Sequence, residues 1–384
     1  MRKTLLASAI AGTLISPLAL ADVYDARAMA RGGTGMTMGE YNQAIYNPAL
    51  INRFDDNDDF SFAGNIGVLA SDKDGFIEGV EDVQDEIERL EDGAGATAAD
   101  VDVLLQDLDG KLVQIEVGGA LMVAIPNNTL PMAFISKGKA SIGTSFSYDP
   151  SDFLILQAIE ANTPGVDGED LNSTIDASLL WIADYGLMLG KGFEVAGLQV
   201  DGGATVKIQT IELIAYSANA ANFDAGDITD SNNLRSHTNL NVDLGVTTRL
   251  GDDGQYVLAG TIENLIPKTF GGPNASEYKM APVLTVGAGY NGNWFKAEAN
   301  LDLTQRNGYD LLLDTQFARV GVEISAGRHF HLRGGYRTDL KSNVSNVLTA
   351  GIGITPWDRF NIDLTGAIGE GDTYGVGLQL GFKI

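Results

Sequence analysis

From the end of the chain backwards, apolar and polar residues take turns. Tyr374, Val376, Leu378, Leu380, Phe382 and Ile384 fall on one side of an extended strand, and Gly375, Gly377, Gln379, Gly381 and Lys383 on the other. The alternation returns over 359–368, 295–304, 239–247 and 113–123. A soluble sandwich and a membrane barrel both carry such strands, but sandwich strands average about five or six residues. Most of these runs reach ten, and about ten tilted residues cross a bilayer. The connections also alternate in length. "TPWD" at 355–358, "GRH" at 327–329, "NGN" at 291–293 and "GDDG" at 251–254 are short, whereas the stretches from 304, 265 and 217 are long. Short turns on one rim and long loops on the other predict an all-β fold, a transmembrane antiparallel β-barrel of about 14 strands. Trp294 and Trp357 fall at short-turn strand ends, where an aromatic girdle would sit.

Two stretches break the pattern. Residues 131–148 read as one strand interrupted by "SKGK", so a kink or bulge is expected at Lys137, Gly138 and Lys139. Ile77, Val80, Val83, Ile87 and Leu90, then Val101, Leu104, Leu105 and Leu108, follow a helical period instead. They predict a helical hairpin over 76–109, carried on the first outer loop, with a further short helix near 151–161.

The ends and the composition set the compartment. Met1-Arg2-Lys3, an apolar run from Leu5 and the small residues of Ala19-Leu20-Ala21 predict a cleaved signal peptide over 1–21, with Asp22 as the first mature residue. The expected location is the bacterial outer membrane. Zero Cys excludes thiol chemistry, and a net charge of −26 leaves no basic stripe for nucleic acid. "DDNDDF" and "SDKDG" resemble calcium loops, but the second has Ala70 where its first ligand belongs. His329 and His331 lack a third zinc ligand, and "GGTG" lacks the Lys-Ser/Thr of a phosphate loop. No metal, cofactor or catalytic residue is expected, and the chain does not read as an enzyme.

A barrel this wide has a lumen its own side chains cannot fill. Residues 22–54 precede the first strand and are rich in small residues, so they are expected to form an N-terminal luminal hatch, with 55–384 as the barrel. Within the hatch, Asn47 suits an N-cap and Pro48 the first helical position. Charged residues on the polar faces, among them Lys207, Asp243, Glu298, Asp302, Arg319, Glu323 and Asp363, allow two readings. They brace a hydrated lumen and its hatch, or some of them bind an anionic head group. His331, Arg333 and Arg337, on one face of one strand, are the candidate luminal ligand contacts for the second.

"GTGMTMGEYNQAIYNPALINRFDDNDDFSFAGNIG" resembles the N-terminal hatch and first strand of FadL-type outer-membrane transporters of hydrophobic compounds. Their hatch carries an Asn-Pro-Ala motif, matched by Asn47, Pro48 and Ala49. The resemblance implies fourteen strands and a kinked third strand that opens sideways; the helical first loop departs from it. A wider likeness runs through "ARAMARGGTG", "DYGLMLGKGFEVAGLQVDGGATVKIQ" and "APVLTVGAGY". These are similar to the TraF-type conjugal-transfer family of FadL-like barrels. Together they imply a passive channel for a small hydrophobic ligand, or a non-transporting structural or assembly component associated with plasmid transfer. The implied partners are membrane lipid, envelope or conjugation proteins and, because Phe382-Lys383-Ile384 resembles a C-terminal recognition strand, the barrel-assembly machinery.

Overall fold

A computed structural model describes residues 25–55, 57–220, 228 and 232–384. The signal-peptide reading of residues 1–21 and the start at Asp22 lie outside the described residues. In chain order the strands are β1 Ser61–Ser71, β2 Leu112–Ile125, β3 Met132–Ser147, β4 Thr174–Val195, β5 Leu198–Asn219, β6 Leu234–Leu250, β7 Tyr256–Glu263, β8 Lys268–Gly271, β9 Glu277–Met280, β10 Val283–Asn291, β11 Phe295–Asp302, β12 Phe317–Ala326, β13 Phe330–Asp339, β14 Val347–Ile354, β15 Phe360–Gly369 and β16 Thr373–Lys383. All but β8 and β9 form one closed antiparallel barrel of 14 strands, and those two make a small hairpin in an outer loop. The barrel closes where β1 pairs with β16, from Ser61↔Lys383 to Ala70↔Tyr374.

Period two puts one face of every strand outward. On β16, Tyr374 and Val376 are 61% and 60% exposed, while Gln379 on the opposite face is buried. Large apolar side chains outward on all fourteen strands make a belt that water would not tolerate and hydrocarbon would. Among the described residues no helix is long and apolar enough to cross a membrane. Aromatic rings gather at the short turns: Tyr256 and Tyr290 at 5.6 Å, Trp294 and Phe295 at 5.8 Å, Phe360 and Phe382 at 4.8 Å. This is the interfacial girdle of a membrane barrel.

The third strand is continuous, as the reading of 131–148 as one strand expects, and of the kink or bulge expected within it the register excludes the bulge. Pairing runs unbroken along β3, from Ile125↔Met132 to Leu112↔Ser145 on one side and from Met132↔Leu189 to Ser147↔Thr174 on the other. No residue is extra, so no bulge stands behind the kink expected at Lys137, Gly138 and Lys139. Lys137 and Lys139 point inward, where Glu263 and Glu116 hold them at 3.2 and 3.0 Å. Gly138 points outward beneath the Trp181 ring, which leaves only 3.0 Å for a Cβ. The lysines' partners come from distant or adjacent strands and give no local signal.

Outside the barrel, α2 (Phe76–Glu91), α3 (Ala98–Leu108) and α4 (Asp152–Glu160) pack on one another and on Val113, Phe146 and Ile175 at the outer ends of β2, β3 and β4. Asp72 starts α2 by accepting from the N–H groups of Phe76 and Ile77 at 2.6 and 2.9 Å, and Thr97 with Asp100 forms a capping box on α3. Residues 72–111 hold 14 Asp and Glu against 3 Lys and Arg. Much of the chain's acidity therefore sits outside the wall and does not describe the lumen. The mouth is filled by β8, β9 and the loop after β11. Phe270, Tyr278, Met280, Tyr309 and Leu312 cluster there against Leu180, Ile211 and Leu213 of the inner wall.

Candidate functional site

The lumen is closed by the segment that precedes β1. It starts with α1 (Ala26–Ala30), whose cap Asp25 accepts from the N–H groups of Arg27 and Ala28 at 2.8 and 3.0 Å. Burial pushes the Asp25 carboxyl above its ordinary value, against the pull of Arg27 and Arg31. After α1 the chain crosses the lumen and makes two short 3-10 turns, Tyr41–Gln43 and Pro48–Asn52. Asn47 caps the second turn by accepting from the Ala49 N–H at 3.0 Å, with Pro48 at its first position. The Asn47 amide also donates to the Met36 carbonyl at 3.0 Å, which ties the two halves of the segment together.

Two rows of inward glycines let this backbone lie against the wall. Gly190, Gly203 and Gly245 are register partners on β4, β5 and β6. A Cβ on Gly203 would strike the Pro48 carbonyl, and one on Gly190 or Gly245 would strike Ile51 or Asn47. Gly321 and Gly335 are register partners on β12 and β13, and a Cβ on either would strike Arg31. At Gly203, Gly321 and Gly335 the segment's backbone meets the wall's backbone, and at Gly190 and Gly245 the side chains of Ile51 and Asn47 take the space of a Cβ.

The two halves are held by different forces. Residues 25–38 sit among charges. Arg27 Nε meets Asp363 at 2.8 Å, Arg333 bridges Glu323 and Asp363 at 2.6 and 2.7 Å, and Arg31 approaches Glu323 at 3.7 Å. Burial works against the Arg27 charge, but Asp363 overrides it and holds the group above its ordinary pKa. Glu298 accepts from the N–H groups of Gly35, Met36 and Met38 at 3.1, 2.6 and 3.0 Å. Glu298→Ala would strand three buried donors and should weaken local closure by about 2 kcal/mol, on the order of a thirtyfold rise in amide exchange over 35–38. Hydrogen exchange on detergent-solubilised protein would check this; unchanged exchange would refute it. Residues 39–54 instead bring Tyr41, Ala44, Ile45, Leu50 and Ile51 against Ala120, Met122, Ala124, Ala133, Ile135 and Met188 on β2, β3 and β4.

The trio His331, Arg333 and Arg337 does share one face of β13, but the luminal segment crosses between its members at Gly335. Arg333 lies on the short-turn side, 4% exposed and consumed by its two carboxylates. His331 lies next to Ser325 Oγ at 3.0 Å and Thr355 Oγ1 at 3.4 Å. Arg337 lies on the outer side, 4.6 Å from the Phe317 ring centroid. The three do not surround one ligand.

The charged faces read from the sequence do brace the lumen, as a belt of ion pairs on the outer side of the segment; Lys207, Asp243, Asp302 and Arg319 are among those singled out for it above, and Lys137, Asp184, Glu263 and Arg306 join them. Lys207 meets Asp184 and Asp243 at 2.8 and 2.9 Å, Lys137 meets Glu263 at 3.2 Å, Arg306 meets Glu263 at 2.8 Å, and Arg319 meets Asp302 at 2.8 Å. Two small cavities flank it. One of about 70 Å³ is lined by Tyr46, Lys137, Asp243, Glu263, Arg306 and Arg337. The other, about 120 Å³, is lined by Glu116, Lys139, Asp184, Tyr278, Arg306 and Leu312. Opposite charges at inward positions were the available signal; which strands they join was not.

The profile of a family described as "F plasmid transfer operon, TraF, protein" matches residues 44–302. No curated protein matches the sequence. Among solved structures, a deletion variant of the monoaromatic hydrocarbon channel TodX is 14% identical, with 94% of this chain and 98% of that one covered and a TM-score of 0.54. The P. putida toluene transporter TodX is 11% identical, with 94% and 97% covered and a TM-score of 0.51. At such identities the likeness is one of fold.

Proposed function

We propose that this chain, which belongs to the family of the F plasmid transfer operon TraF protein, is an outer-membrane passive channel for small hydrophobic molecules. Residues 22–54 act as its hatch, 55–384 as the barrel and 76–109 as an outer-loop insertion, and the precursor is cleaved after Ala21. One observation carries the reading: the lumen of a lipid-facing barrel is stopped by a separate piece of chain lying in glycine grooves, not by the wall itself. A seal of that kind can move without breaking the wall. Hydrophobic cargo is supported by the inner face of β2 to β5, where Met122, Ile135, Met188, Leu180, Ile211 and Leu213 lie. It is supported too by the fold shared with a protein called a toluene transporter. The test is toluene uptake by a deletion strain, by the same strain carrying the intact gene, and by one carrying a form without residues 25–54. Uptake should fall on deletion and return with the intact gene, and the hatchless form should leak. Unchanged uptake on deletion would end the channel reading.

The family match favours a second role, in the plasmid-transfer envelope apparatus, with the acidic helical loop as the partner-facing element. A chain lacking 76–109 that keeps uptake but lowers mating frequency would support it. Full mating frequency without the whole chain would reject it.

A further inference from the structure

We infer that the hatch opens in two parts: residues 41–53 swing away as a flap and expose an apolar binding patch on β2–β4, while residues 25–38 stay clamped. The inference rests on the channel reading and names the moving part and the surface that the cargo takes.

The flap is a body of its own. The Tyr41 N–H donates to the Arg53 carbonyl at 2.9 Å, so its two ends meet, and both 3-10 turns lie between them. Compact loops with joined ends move as units. Gly39, just before the loop, supplies a short link to the clamp, and two hydrogen bonds cross between the parts, Asn47 Nδ2 to the Met36 carbonyl at 3.0 Å and Arg53 Nη1 to the Thr37 carbonyl at 2.7 Å; opening exchanges both for water.

The two parts answer differently to a hydrophobic molecule. A ligand shifts an equilibrium only by binding one state better than the other. Toluene or its like gains nothing at Arg27–Asp363 or among the three N–H groups on Glu298. Under the flap it finds a surface that exists only when the flap has left. Ala120, Met122, Ala124, Ala133, Ile135 and Met188 are at most 1% exposed in the closed form, and residues 41, 44, 45, 50 and 51 cover them. The cargo's own apolar surface takes the place of the flap's against this patch, and two pliable Met side chains adapt the patch to its shape. The flap's polar groups also gain on leaving. Gln43 Nε2 and Arg53 Nε and Nη2 are buried without a hydrogen-bond acceptor among the described residues, and water would supply one.

The absence of Cys makes an engineered pair clean. The Ala26 Cβ lies 3.5 Å from a Cβ built on Gly377, within disulfide reach. In liposomes, oxidised A26C/G377C should pass toluene within about twofold of its reduced form, because the clamp never has to leave; oxidation that stops toluene overturns the inference. Hydrogen exchange on the unaltered chain gives a second reading that needs no flux and no variant. Added toluene should speed exchange over 41–53 by about tenfold and leave 25–38 unchanged. Acceleration of both stretches together, or of neither, overturns the inference. If the unaltered chain passes no toluene, the channel reading fails by itself, and the exchange experiment still decides whether a separate flap covers an apolar patch.

Discussion

Gly203→Val should turn the closed barrel into a leaking one. The residue sits on the inner face of β5, paired with Gly190 on one side and Gly245 on the other, so the wall cannot retreat. A Cβ there would collide with the Pro48 carbonyl and come within 2.5 Å of the Ala49 nitrogen, and valine adds two methyl groups beyond it. The turn Pro48–Asn52 has to lift. Forcing extra carbons into a filled space costs about 1–3 kcal/mol, and each 1.4 kcal/mol is roughly tenfold in an equilibrium. The open fraction should therefore rise roughly five- to a hundredfold. Planar-bilayer conductance would report it, as would sensitivity of cells to bulky antibiotics. Gly366→Ala is the matched control, since that glycine faces outward with nothing within 4 Å of an added Cβ. A folded Gly203→Val barrel with the conductance of the parent would show that the segment is not the seal.

The same glycines mark the limit of what could be read without coordinates. Period two gives two-faced strands, because positions 374 and 375 must face opposite media whatever the rest of the chain does, and runs of about ten residues make those strands a barrel. Loop lengths orient it, and Trp294 and Trp357 mark one interface. Asn47-Pro48-Ala49 announces a capped turn through local chemistry alone. The use of Gly203 is different in kind. It depends on Gly190 and Gly245 arriving at the same height, which is a matter of strand register, and on Pro48 reaching them from more than a hundred residues away. The kink or bulge expected at Lys137-Gly138-Lys139 turned on the same kind of information. The register leaves no extra residue for a bulge, and the partners that hold the two lysines inward, Glu263 and Glu116, lie on other strands. The face shared by Arg333 and Arg337 was legible, whereas the segment passing between them at Gly335 was not.

Lys207→Met should cost the barrel a large part of its stability. The ammonium is 1% exposed and lies between Asp184 at 2.8 Å and Asp243 at 2.9 Å. Methionine keeps the length of the side chain, so packing is largely spared and the charge is what is lost. Two buried carboxylates would then face each other. Breaking a buried ion pair by removing one partner costs about 3–5 kcal/mol. Lys137, at 3.7 and 3.9 Å from the same two carboxylates, supplies part of the missing charge, which places the expected loss near the lower figure, about 3 kcal/mol. Adding Asp243→Asn should recover much of it. The second change removes one unpaired charge, and the asparagine oxygen can still accept the Asn264 N–H that Asp243 accepts at 2.8 Å. Unfolding by denaturant in detergent, run on both single variants and the double, isolates the coupling between the two sites. A Lys207→Met barrel as resistant as the parent would mean that the belt of charge across the lumen is hydrated and weak. The cavities beside it would then belong to an open, wet passage, and the closed state would rest on the glycine-seated segment before β1 alone.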